Sequence, residues 1–118
     1  MALNDLTKWD LVLVDLTPVA GGKNNRLTPG LIISPNAANK HLQTVIIAPV
    51  NSSIRGYPSR LTFLEGGTSF LGGGKSLEIC FDQMKSINKS RIIKVFGTLN
   101  GDDRGRVNTL LAYMFSEP

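Results

Sequence analysis

Polar side chains that could hold an anion follow an apolar run in the stretch APVNSSIRGYP, residues 48–58. Asn51 and Ser52 offer an amide and a hydroxyl, and Arg55 adds a guanidinium. A plain turn would need only the Gly and Pro that come after them. Hydroxyl, amide and guanidinium donors placed together are groups that proteins use to bind phosphate. The stretch therefore predicts an anion site where a strand ends, and ordinary turn formation is the alternative role for Asn51 and Ser52.

Two further residues have side chains suited to the same chemistry. Arg26 lies in a loop rich in Gly and Asn, where its guanidinium has no evident structural purpose, and we expect it to contact an anion. Asp82 follows a predicted strand and offers a carboxylate that could act as a general base. An Asp at such a place is also typical of a turn or a backbone cap, which is the alternative interpretation.

The composition argues against several other kinds of chemistry. A chain of 118 residues, 42% of them hydrophobic, has the size of one globular domain, and we expect a single domain over residues 1–118. One His and one Cys do not make a metal site of the usual kind, so we expect no metal and no cofactor. A single Cys cannot form an internal disulfide, which favours the cytoplasm. The apolar runs are too short to span a membrane, and we expect no secretory signal in MALNDLTKWD.

The charge distribution indicates an anionic partner. The formal net charge is +4, and residues 85–94, KSINKSRIIK, hold four positive charges and no negative one. Lys23, Arg26, Arg55 and Arg60 fall in or beside predicted loops. Together these residues predict a basic face, and ordinary solvated surface charge is the alternative for each of them singly.

Short apolar runs separated by Gly, Pro and Asn predict a protein made mainly of strands. Pro49 predicts that its strand lies at a sheet edge or has a bulge near its end. Between the strands, residues 17–30 predict an irregular segment, residues 36–43 a short helical turn or hairpin link, and residues 65–75, with five Gly, a mobile loop. The predicted strands are residues 9–16, 31–34, 44–50, 60–64, 76–83 and 91–99.

One helix is predicted over residues 100–115. Its apolar residues recur at the spacing i, i+3, i+4, i+7, which places them on one helical face. Asn100 is a suitable N-cap, and the two Asp residues that follow favour the positive end of the helix dipole. Six short strands followed by a helix predict a small barrel with the helix packed on it. The residues of the apolar face are Val107, Leu110, Leu111 and Met114.

Several segments, taken in order and spacing, resemble the MazF/PemK family of toxin–antitoxin ribonucleases, which includes the Kid toxin. They are WDLVLVDLTPVAGG, PGLIISP, VIIAPVNSSIRGYP and CFDQMKSIN, followed by the C-terminal helix. The resemblance covers about residues 9 to 115, with Trp9 where the family usually has Gly. It implies a mainly β fold with α, a small SH3-like antiparallel β-barrel with a C-terminal helix, assembled as a homodimer.

The same resemblance implies an activity. Members of the family are metal-independent endoribonucleases that cut single-stranded mRNA at short sequences. They leave a 2′,3′-cyclic phosphate and a 5′-hydroxyl, and an acidic antitoxin protein neutralises them. The resemblance thus implies an RNA substrate, an acidic antitoxin partner and a cytoplasmic toxin.

By position, the resemblance assigns catalytic roles to Ser52 and Asp82. Arg26 lies two residues before the position of a catalytic Arg of the family and is expected to stand in for it. Some of the family's residues are replaced here. The Arg before the Pro of the first loop is Thr28, the Arg of an Arg-x-Asp pattern is Cys80, and a Glu of the first loop is Lys23. Arg55 is an expected RNA contact, with Tyr57 either stacking on a base or packed under its turn. The expected RNA-binding residues are Lys23, Thr28, Asn51, Arg55, Gln83 and Lys85.

These replacements keep two other interpretations open. In the first, the chain is a catalytically impaired member that binds RNA or protein. In the second, it poisons DNA gyrase as the CcdB toxins do, because CcdB is similar in fold, although CcdB lacks the quoted segments. Trp9 is expected in the core or in a dimer interface.

Overall fold

A computed structural model describes residues 5–18, 26–64 and 76–116. The predicted mobile loop, residues 65–75, lies outside the described residues, as does most of the predicted irregular segment. In chain order the elements are β1 (Asp10–Asp15), β2 (Leu27–Ile32), α1 (Asn36–His41), β3 (Thr44–Asn51), β4 (Arg60–Leu64), β5 (Ser76–Cys80), β6 (Lys85–Asn88), β7 (Ile92–Thr98) and α2 (Gly101–Ser116). Short 3-10 turns, Phe81–Gln83 and Lys89–Arg91, flank β6.

The strands form an antiparallel sheet in the order β4-β5-β3-β2-β1-β7, and β6 also pairs with β3. One side of β3 pairs first with β6, through residues 44–47, and then with β5, through residues 50–51. Pro49 lies between these two stretches and is paired with Gly30 on the other side. The prediction that Pro49 marks an edge or a bulge was wrong, because β3 lies in the middle of the sheet. A Pro is tolerated at this point because β3 changes partner there.

The central strands are buried on both faces, which explains their continuous apolar runs. Residues of β4 and α2 belong to the first of two core clusters, and a residue of β6 belongs to the second. In β3, for example, Val50 belongs to the first cluster and Ile47 to the second. The first cluster contains Leu11, Leu31, Ala48, Val50, Leu61, Phe63, Leu77, Ile79, Phe81, Leu99 and Val107, and the second Leu6, Val12, Val14, Ile32, Val45, Ile47, Ile87 and Ile92.

Helix α2 begins and packs as predicted. The Asn100 side chain accepts a hydrogen bond from the Asp103 backbone N–H at 2.9 Å and donates one to the Asp103 carboxylate, also at 2.9 Å. This pair satisfies a free amide of the first turn. Val107 is fully buried in the first cluster, and Leu110, Leu111 and Met114 pack against that cluster. In the described residues no helix is long and apolar enough to cross a membrane.

The predicted SH3-like barrel with a C-terminal helix is confirmed as a mainly antiparallel β fold, although the pairings do not close the described strands into a ring. The structure differs from the prediction most at three strands. Strand β2 begins at Leu27, inside the segment predicted to be irregular, because its first residues pair with β1. Strand β5 ends at Cys80, three residues before its predicted end, and the four-residue strand β6 was not predicted.

Trp9 packs against the first core cluster, and the core was one of the two places predicted for it. Its backbone has a positive φ of 80°. Such a backbone conformation is costly for a bulky residue and natural for Gly. The Trp9 carbonyl accepts hydrogen bonds from the Leu99 N–H (2.9 Å) and the Thr98 hydroxyl (3.2 Å), which hold this conformation. The backbone at this position therefore suits Gly better than Trp, in agreement with the Gly that the family resemblance implies here.

Candidate functional site

The pairing of β3, β5 and β4 brings the candidate residues together at one end of the sheet. Asn51 lies opposite Glu78, and Cys80 lies opposite Arg60. Side chains at alternate positions of a strand share a face, so Glu78 and Cys80 lie on one side of β5. Asp82 follows in the 3-10 turn directly after β5. The other side of β5 carries the apolar core, which fixes this polar face relative to the fold.

Glu78 is a buried carboxylate whose two oxygens are hydrogen-bonded. Its side chain is 1% exposed. Oε2 accepts the consecutive backbone N–H groups of Arg55 (3.0 Å) and Gly56 (2.9 Å). Oε1 accepts a hydrogen bond from Arg60 Nη1 at 3.1 Å. Glu78 therefore ties the loop between β3 and β4 to the middle strand below it.

Arg60 bridges Glu78 and Asp82. While Nη1 contacts Glu78, Nε donates to Asp82 Oδ1 at 3.0 Å and Nη2 donates to Asp82 Oδ2 at 3.1 Å. The Arg60 side chain is only 7% exposed, and its guanidinium carbon lies 4.7 Å from the centre of the Tyr57 ring. Tyr57 itself is 52% exposed, so the expectation that it is packed under its turn holds for one face of the ring only.

The network sets the ionisation of its carboxyl groups. The hydrogen bond from Arg60 lowers the pKa of Asp82 more strongly than partial burial raises it. Burial raises the pKa of Glu78, but hydrogen bonds from Gly56, Arg60 and Arg55 outweigh it, so the net pKa is below the ordinary value. Both carboxyl groups are therefore ionised at neutral pH.

The thiol of Cys80 belongs to the same polar face. Burial raises its pKa, so it is a neutral thiol and not a nucleophile at neutral pH. The Asn51 amide donates to the Cys80 sulfur at 3.9 Å. Asn51 is thereby held at the end of β3, directly before the exposed loop.

The loop after β3 presents open donors. Ser52 and Arg55 are exposed. Neither the Ser52 hydroxyl nor the Arg55 guanidinium has a hydrogen-bond partner in residues 5–18, 26–64 and 76–116. The backbone N–H of Arg55 donates to Glu78. A fixed backbone with free polar side chains is suited to binding an anion.

Arg26 and Thr28 lie at the same end of the sheet, at the start of β2. The Arg26 backbone is fixed by bonds from its N–H to the Thr17 hydroxyl (3.0 Å) and from the Leu16 N–H to its carbonyl (2.8 Å). Its side chain is exposed and has no partner within the part of the chain that the structure describes. Strands β2 and β3 are antiparallel, and their pairing ends at Gly30. Thr28 and Asn51 lie beyond this point on their two strands, so both are at the same end of the sheet.

The remaining predicted RNA contacts are more dispersed. Gln83 is exposed beside Asp82 in the 3-10 turn. Lys85 is exposed and lies opposite Ile47. Ile47 lies four residues before Asn51 along β3, a distance of about 13 Å at the usual rise of a strand. Lys23 lies outside the described residues.

The predicted basic face is smaller than the sequence indicated. Lys89 is buried, and its ammonium donates to the Asn39 carbonyl. Arg91 is half-buried and donates to the Thr17 carbonyl at 2.6 Å. Arg60 is buried between carboxylates. The prediction was wrong for these three residues, because neighbouring elements supply acceptors that the local sequence does not show.

Arg60 and Glu78 are the residues that sequence reasoning missed. Counting positions along the segment CFDQ places Cys80 where the family has Arg, yet Arg60 supplies a guanidinium to Asp82 from the opposite strand. A charged residue inside the apolar run SLEICF was the available signal, because a buried carboxylate requires a partner. The partner could be found only from the register of β4 and β5. Among the described residues no group of three or more His, Cys, Asp or Glu could hold a metal ion.

Fold and site together define a small barrel-like domain that presents open anion donors beside a fixed, ionised carboxylate. Residues 7–115 match the family described as PemK-like, MazF-like toxin of type II toxin–antitoxin system. The chain therefore belongs to this family of toxins. This assignment favours the endoribonuclease-toxin interpretation of the sequence over the gyrase-poison interpretation.

Individual relatives agree with the family assignment. Endoribonuclease MazF of Staphylococcus saprophyticus subsp. saprophyticus is 26% identical over 107 residues, which are 90% of this chain and 88% of that protein. MazF (Form-I) from Deinococcus radiodurans is similar with a TM-score of 0.70 at 26% identity, over 95% of this chain and 97% of that chain. An endoribonuclease in complex with its cognate antitoxin from Mycobacterial species shares the fold, with a TM-score of 0.73 at 22% identity, over 96% and 97% of the two chains.

Proposed function

We propose that this chain is an endoribonuclease toxin that cuts single-stranded mRNA at short sequences without a metal ion. The observation that carries the proposal is the site at the end of β3, where the exposed donors of Ser52 and Arg55 lie on a loop tied to the same network as Asp82. The S. saprophyticus relative is itself named an endoribonuclease. RNA is an anion whose 2′-hydroxyl can act as the nucleophile, so such a site needs no metal to generate one.

In the proposed reaction, Asp82 takes the proton of the 2′-hydroxyl while the 2′-oxygen attacks the adjacent phosphorus. The bond from phosphorus to the 5′-oxygen then breaks, and this oxygen takes a proton from water. The products are a 2′,3′-cyclic phosphate and a 5′-hydroxyl. Arg26 and Ser52 donate to the phosphorane oxygens, where negative charge develops in the transition state.

The RNA strand is proposed to lie across the exposed polar residues around this site. Asn51, Arg55 and Thr28 surround the end of β3, and Gln83 lies beside the proposed base. Lys85 would contact the RNA backbone farther along the strand, since it lies opposite a residue of β3 that is about 13 Å from Asn51. We assign Lys23 to the same strand from its position in the sequence.

An acidic antitoxin and a second copy of the chain are the proposed protein partners. The net charge of +4 favours an acidic inhibitor, and a mycobacterial relative is described in complex with its cognate antitoxin. For the homodimer, Ile46 and Phe115 are exposed apolar residues at one groove between β3 and α2. Burying such residues stabilises association. We place the toxin in the cytoplasm, where mRNA is available.

One observation favours a second candidate, an RNA-binding module without catalysis. Both oxygens of Asp82 are hydrogen-bonded to Arg60, and the resulting low pKa makes this carboxylate a weak base. A weak base removes a proton less effectively at neutral pH. In this case RNA would bind to the same donors and remain intact.

Incubation of the purified chain with single-stranded RNA in excess chelator separates these candidates. We expect cleavage, and we expect Ser52→Ala and Asp82→Asn to slow it strongly. Ser90→Ala, at an exposed position of the 3-10 turn after β6, and Asp102→Asn, at an exposed position of α2, are matched controls that should cleave normally. RNA that is bound but uncut by the wild-type protein would support the binding module and contradict the proposed enzyme.

A further inference from the structure

Glu78 is a buried charge that the proposed chemistry does not use. Removing a carboxylate from water costs several kcal/mol unless hydrogen bonds and an opposite charge compensate for it. At 1% exposure, Glu78 has such compensation from three donors, which are two backbone N–H groups and Arg60. An apolar residue would fill this position of β5 without that cost, so the carboxylate needs another explanation.

The two backbone donors lie in the loop that carries the proposed phosphate contacts. Oε2 of Glu78 accepts the consecutive N–H groups of Arg55 and Gly56, and Gly56 has a positive φ of 71°. This contact fixes the orientation of both peptide groups. The exposed side chains of Ser52 and Arg55 project from the backbone that is held in this way.

The other oxygen of Glu78 connects the loop to Asp82. Arg60 donates one N–H to Glu78 and two to Asp82, so its planar guanidinium joins the two carboxylates in fixed geometry. One positive charge faces two negative charges, so the group of three is net negative. Arg60 is therefore unsuited to holding the phosphate itself.

We propose that Glu78 and Arg60 are positioning residues, which fix the loop of residues 52–57 and the Asp82 carboxylate in one geometry for RNA cleavage. The inference rests on the proposed function, because it assigns these residues to the same site. Neither residue touches the substrate. Glu78 holds the phosphate-binding loop, and Arg60 holds the base and keeps it ionised.

Glu78→Gln tests the first half of this inference with almost no change of volume. The new amide presents donors where donors already point, so the contacts with Arg55, Gly56 and Arg60 cannot all persist. We expect kcat to fall about a hundredfold, the size of effect that a 1 Å misplacement produces. Affinity for uncleavable 2′-deoxy RNA should change far less, because the free donors remain. Unchanged kcat in a folded Glu78→Gln protein would overturn the inference.

Arg60→Gln tests the second half through pH. The groups that act on Asp82 in the described residues are the Arg60 guanidinium and the Ser59 side chain, and Asp82 in turn acts on the Cys80 thiol. Without Arg60 the pKa of Asp82 rises, so the acid limb of the profile of kcat/KM against pH should move to higher pH. A role in stability alone would lower activity without moving this limb, and that result would overturn the inference.

Matched variants separate this effect from the loss of any Arg. Arg106→Gln removes a half-exposed guanidinium of α2 that contacts the Asp103 carboxylate at 2.9 Å. Its pH profile should equal that of the wild-type protein. Arg60→Lys keeps the charge but has no planar fork, so we expect a smaller shift of the acid limb than in Arg60→Gln and no full recovery of kcat. If Arg60→Gln does not fold, the double variant Arg60→Gln/Glu78→Gln is measured in its place, because it removes both buried charges.

Two measurements decide the inference even if the wild-type protein cleaves no RNA. Carboxyl NMR titration should show a higher pKa for Asp82 in Arg60→Gln than in the wild-type protein. Amide exchange should show faster exchange at Arg55 and Gly56 in Glu78→Gln. If both readouts equal those of the wild-type protein, the positioning inference is overturned, whatever the outcome for the proposed activity.

Discussion

Replacing Gly56 by Ala should destabilise the protein through its backbone alone. Gly56 has a φ of 71°, and a Cβ atom added there would meet no atom within 4 Å. Steric overlap with neighbours therefore contributes nothing. The left-handed conformation costs a residue with a side chain about 1 to 2 kcal/mol. We expect Gly56→Ala to lower the free energy of unfolding by about this amount.

Gly105→Ala is a matched control with the opposite expected sign. Gly105 is in α2, and an added Cβ would again meet no atom within 4 Å. Ala is favoured over Gly in a helix by about 1 kcal/mol. The same Gly-to-Ala change should therefore lower the free energy of unfolding at Gly56 and raise it at Gly105. The two variants should differ in this free energy by about 2 to 3 kcal/mol.

Urea unfolding measures both changes. A shift of the midpoint with an unchanged slope shows that the stability has changed and the compactness of the unfolded state has not. Gly56→Asn should be less harmful than Gly56→Ala, because Asn tolerates the left-handed conformation better. If Gly56→Ala is as stable as the wild-type protein, the conformation of the Gly56 turn, and with it the bond to Glu78, is not required.

Three further predictions concern catalysis, pH and salt. Arg26→Ala should lower kcat about a hundred- to a thousandfold with an unchanged melting temperature, as expected for the loss of one donor to a developing oxyanion; full activity would exclude Arg26 from the site. The pKa values of Glu78 and Asp82 are lowered in the folded state. The stability that these two groups contribute is therefore present above the ordinary carboxyl pKa of about 4, and it is lost as the pH falls through their lowered pKa values. Acid titration of the unfolding free energy should show this loss, and Arg60→Gln should reduce it; an unchanged acid dependence in that variant would contradict the assignment. Binding of 2′-deoxy RNA should weaken steeply as salt rises, because cationic contacts release counterions; affinity that is independent of salt would exclude a basic RNA-binding surface.

The assembly gives one more prediction. Because Ile46 and Phe115 expose apolar surface at a groove, we expect the mass of a dimer in light scattering at micromolar concentration. Phe115→Ser should shift the equilibrium toward the monomer if this groove lies in the interface. A monomeric wild-type protein that cleaves RNA normally would contradict the expected homodimer.

Local patterns were sufficient for most elements of the fold. The apolar runs around Val12 and Ile47 predict strands because those strands are buried on both faces, and the spacing around Val107 predicts the buried face of α2. Strand β6 was missed because it is four residues long and three of its residues are exposed. Its existence depends on pairing with β3, which no local pattern contains.

The candidate site was predictable only in part, for the same reason. The donor-rich end of β3 and Asp82 could be identified from residue type and position in the sequence. The contacts of Arg60 with Glu78 and Asp82 join residues 18 and 22 positions apart, and they depend on the register of β4 and β5. The backbone of Trp9 also depends on tertiary contacts that the local sequence does not show. Hydrogen bonds to its carbonyl from a distant strand end hold its positive φ.

A substrate with one 2′-deoxy sugar at the cleaved position tests the central claim most directly. The proposed reaction requires the 2′-hydroxyl as the nucleophile, so this RNA should remain intact at that position in the presence of chelator. The matched all-ribose RNA should be cut there, with a 2′,3′-cyclic phosphate and a 5′-hydroxyl identified by mass spectrometry. Cleavage of the 2′-deoxy substrate at the same position would show that water attacks the phosphorus and would contradict the proposed mechanism.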